Sequence, residues 1–123
     1  MNILLIGYGK MGKMIEDIAL LRNHNIAYVI DKEEDWNNLD VKEIDVAIDF
    51  SSPYTVVDNI VACFNRNIPI VVGTTGWYGR LNEFRDLANQ EHKGLFVASN
   101  FSIGMSIFNK INEKLAILMN AQP

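Results

Sequence analysis

Three glycines stand at the spacing Gly7-x-Gly9-x-x-Gly12, directly after the apolar run Ile3-Leu4-Leu5-Ile6. By itself this spacing also describes a plain glycine-rich turn. The context narrows it. A strand-like run precedes the glycines, a helical pattern follows, and an acid, Asp31, closes the next apolar run 19 residues after Gly12. That arrangement suits a dinucleotide. Gly7 makes a tight turn, Gly9 lets backbone approach a pyrophosphate, and Gly12 lets the helix pack on the sheet. The N–H groups at the helix start supply partial positive charge. Asp31 accepts hydrogen bonds from the adenosine ribose hydroxyls, and its charge disfavours the 2′-phosphate of NADP(H). Lys32 and Lys10 soften that repulsion. The expectation is NADH preferred, with NADPH tolerated. A solvated turn is the plainer reading of Asp31-Lys32.

Three further stretches fall at the ends of apolar runs: Phe50-Ser51-Ser52, Gly73-Thr74-Thr75-Gly76 and Ser99-Asn100-Phe101-Ser102. In an open α/β sheet, ligands bind along the edge where the strands end. Small, hydroxyl-bearing and amide residues there permit close backbone contact. The same residue types are also ordinary loop formers. An acid or base beside the cofactor seat is missing. His24 and His92 precede strands, at the opposite edge, and are expected at the surface. No Cys or His cluster suggests a metal. The single cysteine, Cys63, sits in the apolar pattern of a helix and is expected to be a buried structural thiol.

The elements that must position these residues alternate. Strands are expected at Ile3–Ile6, Ile26–Ile30, Ile44–Phe50, Ile68–Val72 and Leu95–Ala98. Helices are expected after the glycine loop, from Tyr54 to about Asn65, from Tyr78 to about Glu91, and from Met105 to about Met119. Ser52 is the candidate N-cap of the second helix, with Pro53 in its first turn. Lys32 to Glu43 is acidic and weakly patterned, with room for one helical turn. The order βαββαβαβα predicts an α/β fold, a doubly wound parallel sheet of Rossmann type. The 123 residues, 49% hydrophobic and 21% charged, suit a globular domain. A net charge of −4 argues against nucleic acid as a partner. No run is long enough for a membrane span, no basic segment of a signal peptide precedes the first apolar run, and the lone cysteine fits a reducing cytoplasm.

The motifs Ile6-Gly7-Tyr8-Gly9-Lys10-Met11-Gly12, Ile48-Asp49-Phe50-Ser51, Val72-Gly73-Thr74-Thr75-Gly76 and Ser99-Asn100-Phe101-Ser102-Ile103-Gly104, in this order, resemble the 4-hydroxy-tetrahydrodipicolinate reductases, also called dihydrodipicolinate reductases. The resemblance runs the length of the chain, and GTTG followed by NFSIG is its most specific part. It implies hydride transfer from NADH or NADPH to a cyclic imine-type small-molecule substrate, in the diaminopimelate route to lysine. It implies that Gly7, Tyr8, Gly9, Lys10, Met11 and Gly12 hold the pyrophosphate and Asp31 the adenosine ribose. Phe50 and Ser51 line the cofactor groove. Gly73, Thr74 and Thr75 touch the nicotinamide ribose side, and Thr75 also reaches a substrate carboxylate. Ala98, Ser99, Asn100 and Phe101 hold the carboxamide. Many members pair the acid after the second strand with arginine, where Lys32 stands here.

The family's substrate domain carries a His-His pair, a proton-donating lysine and an Asp-Ala-Pro-Ser-Gly-Thr loop, and builds a homotetramer. None of these motifs occurs in this sequence. Residues 1–104 are therefore expected to be the dinucleotide-binding domain. Residues 105–123 are expected to be a helix leading towards a substrate and tetramerisation domain. No catalytic residue is expected in this chain, which should bind cofactor without useful turnover. A terminal proline after a long apolar helix reads as a cut between two parts. Two alternatives stand: a non-catalytic NAD(H)-binding module, and the cofactor domain of another two-domain dehydrogenase. The final helix, whose apolar face calls for something to pack on, counts against the first of these.

Overall fold

A computed structural model describes residues 1–99 and 104–120. Five strands, β1 (Asn2–Ile6), β2 (Asn25–Ile30), β3 (Val46–Asp49), β4 (Ile70–Val72) and β5 (Leu95–Val97), form one sheet in the order β2-β1-β3-β4-β5. Every pairing is parallel. Among the described residues four α-helices accompany them: α1 (Lys10–Leu21), α2 (Val56–Asn65), α3 (Leu81–Glu91) and α4 (Gly104–Asn120). The strand order and the parallel pairing match the doubly wound sheet expected from the sequence.

The strands are apolar on both sides because both faces are covered. Leu4, Ile6, Ala47, Ile70 and Val72 point to one face and pack with Val56, Ile60 and Phe64 of α2 and with Phe84 and Ala88 of α3. Ile3, Leu5, Val46, Ile48 and Val71 point to the other and pack with Ala19 of α1 and with Ile111 and Leu115 of α4. The final helix thus finds its packing partner in the chain's own sheet. That removes the sequence argument against a free-standing module, at least for the face that Ile111 and Leu115 occupy.

Chain order sets the functional edge. From β1 the chain moves to β2 on one side, then crosses back to β3 on the other. The loops after β1 and β3 therefore diverge and leave a crevice at the switch point. The ladder runs on past the strand ends to tie these loops down: Gly7 N–H donates to Ile30 O at 2.8 Å, Phe50 N–H to Ile6 O at 2.9 Å and Gly73 N–H to Asp49 O at 2.8 Å.

Several boundaries differ from the sequence expectation. Helix α2 starts at Val56 with Thr55 as its N-cap, instead of Ser52. Ser52 opens a tight turn instead: Thr55 N–H donates to its carbonyl at 3.2 Å, with Pro53 inside the turn. The fixed φ of proline suits the second position of a turn as well as the first turn of a helix. Tyr78–Arg80 is a 3-10 turn ahead of α3. Two 3-10 segments, Glu33–Asn38 and Val41–Glu43, occupy the connection given one helical turn. The second consumes Ile44, whose N–H closes that turn on Val41 O, so β3 begins later. Asn100 and Phe101 lie outside the described residues.

Candidate functional site

The glycine loop joins β1 to α1, and its three glycines differ in kind. Gly7 has φ +89°, and a Cβ there would stand 2.4 Å from the Phe50 carbonyl oxygen. A Cβ on Gly12 would stand 2.4 Å from the Gly7 carbonyl oxygen. Close packing therefore forces glycine at both, Gly12 against the loop itself more than against the sheet. Gly9 is different. Its φ is −85°, and an added Cβ meets nothing within 4 Å. The protein's own packing makes no demand for glycine here; the bare backbone opens onto a cleft.

Helix α1 begins immediately after, at Lys10. No side chain caps it among the described residues, and no acid stands in its first turn. The N–H groups of Lys10, Met11 and Gly12 have no intrahelical acceptor, which is the general condition of a helix start. Free N–H groups and a helix dipole of this kind suit an anion.

The cleft, of about 650 Å³, runs from Gly7 and Gly9 past Asp31 and Lys32 and along α2 as far as Trp36 and Arg66. Asp31 sits exposed at the end of β2, where its carboxylate accepts from Tyr8 N–H at 3.3 Å. Asp35 shapes this corner: one of its carboxylate oxygens accepts from both Asp31 N–H and Lys32 N–H at 2.8 Å. Those two backbone donors hold its carboxyl below the usual range. The Tyr8 hydroxyl donates to the Glu16 carboxylate, which raises its pKa.

Opposite the glycine loop, Asp49 ends β3 fully buried. Its carboxylate accepts from Ser51 N–H at 3.0 Å, Ser51 Oγ at 2.8 Å, Thr74 Oγ1 at 2.7 Å and Asn59 Nδ2 at 2.9 Å. Burial raises its pKa, and these four donors work against that. The network joins the loop after β3, the loop after β4 and helix α2. The Phe50 ring lies across Gly73: a Cβ on Gly73 would stand 2.2 Å from it. Trp77 is anchored by its indole N–H on Thr74 O at 2.7 Å.

The fold thus gathers Gly7, Tyr8, Gly9, Lys10, Met11, Gly12, Asp31, Phe50 and Ser51 around the switch point. Gly73, Thr74 and Thr75 stand beside them at the end of β4. The Thr74 side chain is buried with its hydroxyl committed to Asp49, whereas Thr75 is exposed. Ala98 and Ser99 follow β5 at the same edge, where Ala98 N–H donates to Val72 O at 3.2 Å. Residues 73–75, 98 and 99 do not line the cleft.

Residues 1–101 match the family described as dihydrodipicolinate reductase, N-terminus. The chain belongs to this family. It is 44% identical over 119 residues to the 4-hydroxy-tetrahydrodipicolinate reductase of Christiangramia forsetii, covering 97% of this chain and 50% of that protein. It is 34% identical over 127 residues to that of Staphylococcus epidermidis (97% and 52%) and 30% identical over 122 residues to that of an Exiguobacterium species (96% and 49%). The chain therefore spans about half the length of the curated relatives it matches.

The remaining chemistry-bearing residues of this family member lie away from the site. His24 and His92 precede β2 and β5 at the opposite edge. His92 is exposed, whereas His24 is half-buried against the N-terminal amine at 3.0 Å and is less of a surface residue than expected. Cys63 is fully buried, and burial pushes its thiol pKa up. Among the described residues no group of three potential metal ligands occurs, and no helix is long and apolar enough to cross a membrane. Sequence reading passed over Asp35, Trp36, Asn59 and Arg66. The one available signal was the spacing of Thr55, Asn59, Ala62 and Arg66, which puts them along one side of α2.

Proposed function

We propose that this chain is the nucleotide-binding half of an oxidoreductase that reduces 4-hydroxy-tetrahydrodipicolinate in the diaminopimelate route to lysine. The observation that carries the reading is Gly9: an open, unstrained glycine beside an uncapped helix start, at the mouth of a cleft whose other wall carries Asp31. The residues fit a dinucleotide. The backbone of Gly7, Tyr8, Gly9, Lys10, Met11 and Gly12 would hold the pyrophosphate, and Asp31 the adenosine ribose. Phe50, Ser51, Gly73, Thr74 and Thr75, with Ala98, Ser99, Asn100 and Phe101, would take the nicotinamide half.

When bound, the nicotinamide supplies a hydride to the substrate. This chain's part is to seat and orient that ring, with Thr75 offering a hydroxyl to a substrate carboxylate. Proton donation and substrate binding belong to a further domain that the family relatives have length for, and the whole protein is a cytoplasmic homotetramer in this reading. In this reading residues 1–104 carry the nucleotide-binding domain, and α4 leads from it towards the next. The chain alone binds NADH in preference to NADPH and does not turn over.

The discriminating experiment is calorimetric titration of NADH and NADPH into the chain and into Asp31→Ala. A charge-assisted hydrogen bond contributes about 1.5–3 kcal/mol, so NADH affinity should fall by about tenfold or more. NADPH, which Asp31 repels, should lose less. Equal losses would contradict the ribose role of Asp31.

A further inference from the structure

Two hydroxyls expected at the cofactor are turned inward in this fold. Ser51 Oγ donates to the Asp49 carboxylate at 2.8 Å, and Thr74 Oγ1 donates to the same carboxylate oxygen at 2.7 Å. A hydroxyl has one proton to donate. Both protons are therefore committed to Asp49, and neither Ser51 nor Thr74 has one left for a ligand. Each hydroxyl oxygen also accepts from within the protein: Ser51 Oγ from Asn59 Nδ2 at 3.1 Å, and Thr74 Oγ1 from Ser51 N–H at 2.9 Å. Asp49 itself is 0% exposed, so it touches no ligand. A buried carboxylate that holds two hydroxyls of the site acts through them.

What it acts on follows from position. Ser51 follows β3 and Thr74 follows β4, and these strands end side by side, with Asp49 paired to Val72. The loop after β4 is held at two further points. The Thr74 carbonyl accepts from the buried Trp77 indole at 2.7 Å, and the Phe50 ring fills the space that a Cβ on Gly73 would need. Asn59 ties α2 to the same carboxylate at 2.9 Å. Among the described residues the Asp49 side chain bonds to neither the glycine loop nor Asp31. We propose that Asp49 is a positioning residue for the nicotinamide half of the site: through Ser51 and Thr74 it fixes the loops after β3 and β4 against each other, and the Thr74 hydroxyl is a brace and not a ligand contact. This inference rests on the cofactor reading above and adds to it a residue that serves one half of the cofactor and not the other.

The test compares NADH with ADP-ribose, which keeps the adenosine and pyrophosphate and lacks the nicotinamide. Each is titrated calorimetrically into the wild-type chain, Asp49→Ala, Thr74→Val, Thr74→Ser and the double variant Asp49→Ala/Thr74→Val, with thermal melts alongside. Wild type is expected to favour NADH. Asp49→Ala and Thr74→Val should each lower NADH affinity by about tenfold, the range for a lost hydrogen bond that strands its partner. ADP-ribose affinity should stay as in wild type. The double variant should lose no more than Asp49→Ala alone, because both changes cut one brace. Thr74→Ser keeps the hydroxyl and should bind NADH as wild type does. If Asp49→Ala does not fold, Ser51→Ala takes its place, since it cuts the other arm of the same brace. Parallel loss of NADH and ADP-ribose would make the network merely structural and overturn the proposal, as would unchanged binding of both. Losses that multiply in the double variant would make Thr74 a direct ligand contact, and a Thr74→Ser loss as large as that of Thr74→Val would remove the hydroxyl from the account; either overturns it. So does a wild-type chain that binds both ligands equally well. If wild type binds neither, the dinucleotide reading itself falls, a result distinct from all of those.

Discussion

Removing the Asp49 carboxylate should loosen the site and the fold together. Asp49→Ala deprives four donors of their acceptor: Ser51 N–H, Ser51 Oγ, Thr74 Oγ1 and Asn59 Nδ2, at 2.7–3.0 Å. At about 1.5–3 kcal/mol for each bond to a charged group, the sum would be roughly 6–12 kcal/mol. Two effects reduce it. Burial already costs the ionised carboxylate much of that gain, as the raised pKa records. The stranded donors also have alternatives, since Ser51 N–H stands 2.9 Å from Thr74 Oγ1 and Asn59 Nδ2 3.1 Å from Ser51 Oγ. The net loss expected is about 3–5 kcal/mol, that of breaking a buried charge network. Urea titration followed by far-UV circular dichroism measures it, and a loss under about 1 kcal/mol would refute the reasoning. Its pH dependence supplies a second check. Asp49 has a raised pKa in the fold, so on raising the pH the unfolded chain ionises first, near 3.9. The folded state then binds more protons, and stability falls as pH rises towards the folded pKa. The difference in stability between wild type and Asp49→Asn should therefore shrink on going from about pH 4 to about pH 7. A difference that grows over that range would contradict the sign.

Gly7→Ala places a Cβ against the Phe50 carbonyl at a backbone φ of +89°. It should destabilise the fold by about 2–4 kcal/mol, read as a lower urea midpoint; an unchanged midpoint would mean the loop is built otherwise. Cys63 is fully buried with its thiol pKa raised, so the native chain should resist a disulfide-exchange reagent at pH 8 and react only when unfolded in urea. Rapid labelling of the folded chain would count against a structural thiol.

The fold was readable where apolar runs were continuous. Ile3–Ile6 and the helical pattern of α1 follow from periodicity alone, because both faces of the strand are covered and one stripe of the helix is. The glycine loop was readable because only one fold context uses that spacing with an acid after the next strand. Boundaries failed where one residue suits two roles. Ser52-Pro53 opens a turn as well as it opens a helix, and Ile44 closes a 3-10 turn before it can join a strand. The Asp49 network was hidden because its members, Asp49, Ser51, Asn59 and Thr74, are brought together only by sheet pairing and by the docking of α2. Trp36 and Arg66, whose guanidinium lies over the indole ring, are 30 apart in sequence and meet for the same reason. Asn59 and Arg66 share one side of α2 at helical spacing, but nothing periodic in the sequence points to the residues they meet.

The central claim is that the glycine loop cradles a dinucleotide, and Gly9 tests it most directly. Nothing lies within 4 Å of an added Cβ there, so Gly9→Val should fold, at an N-cap cost of about 1 kcal/mol at most. Calorimetric titration of NADH into this variant beside wild type is the measurement. Binding by wild type, with none by a folded Gly9→Val chain, is the predicted result. Equal binding by both would contradict the account.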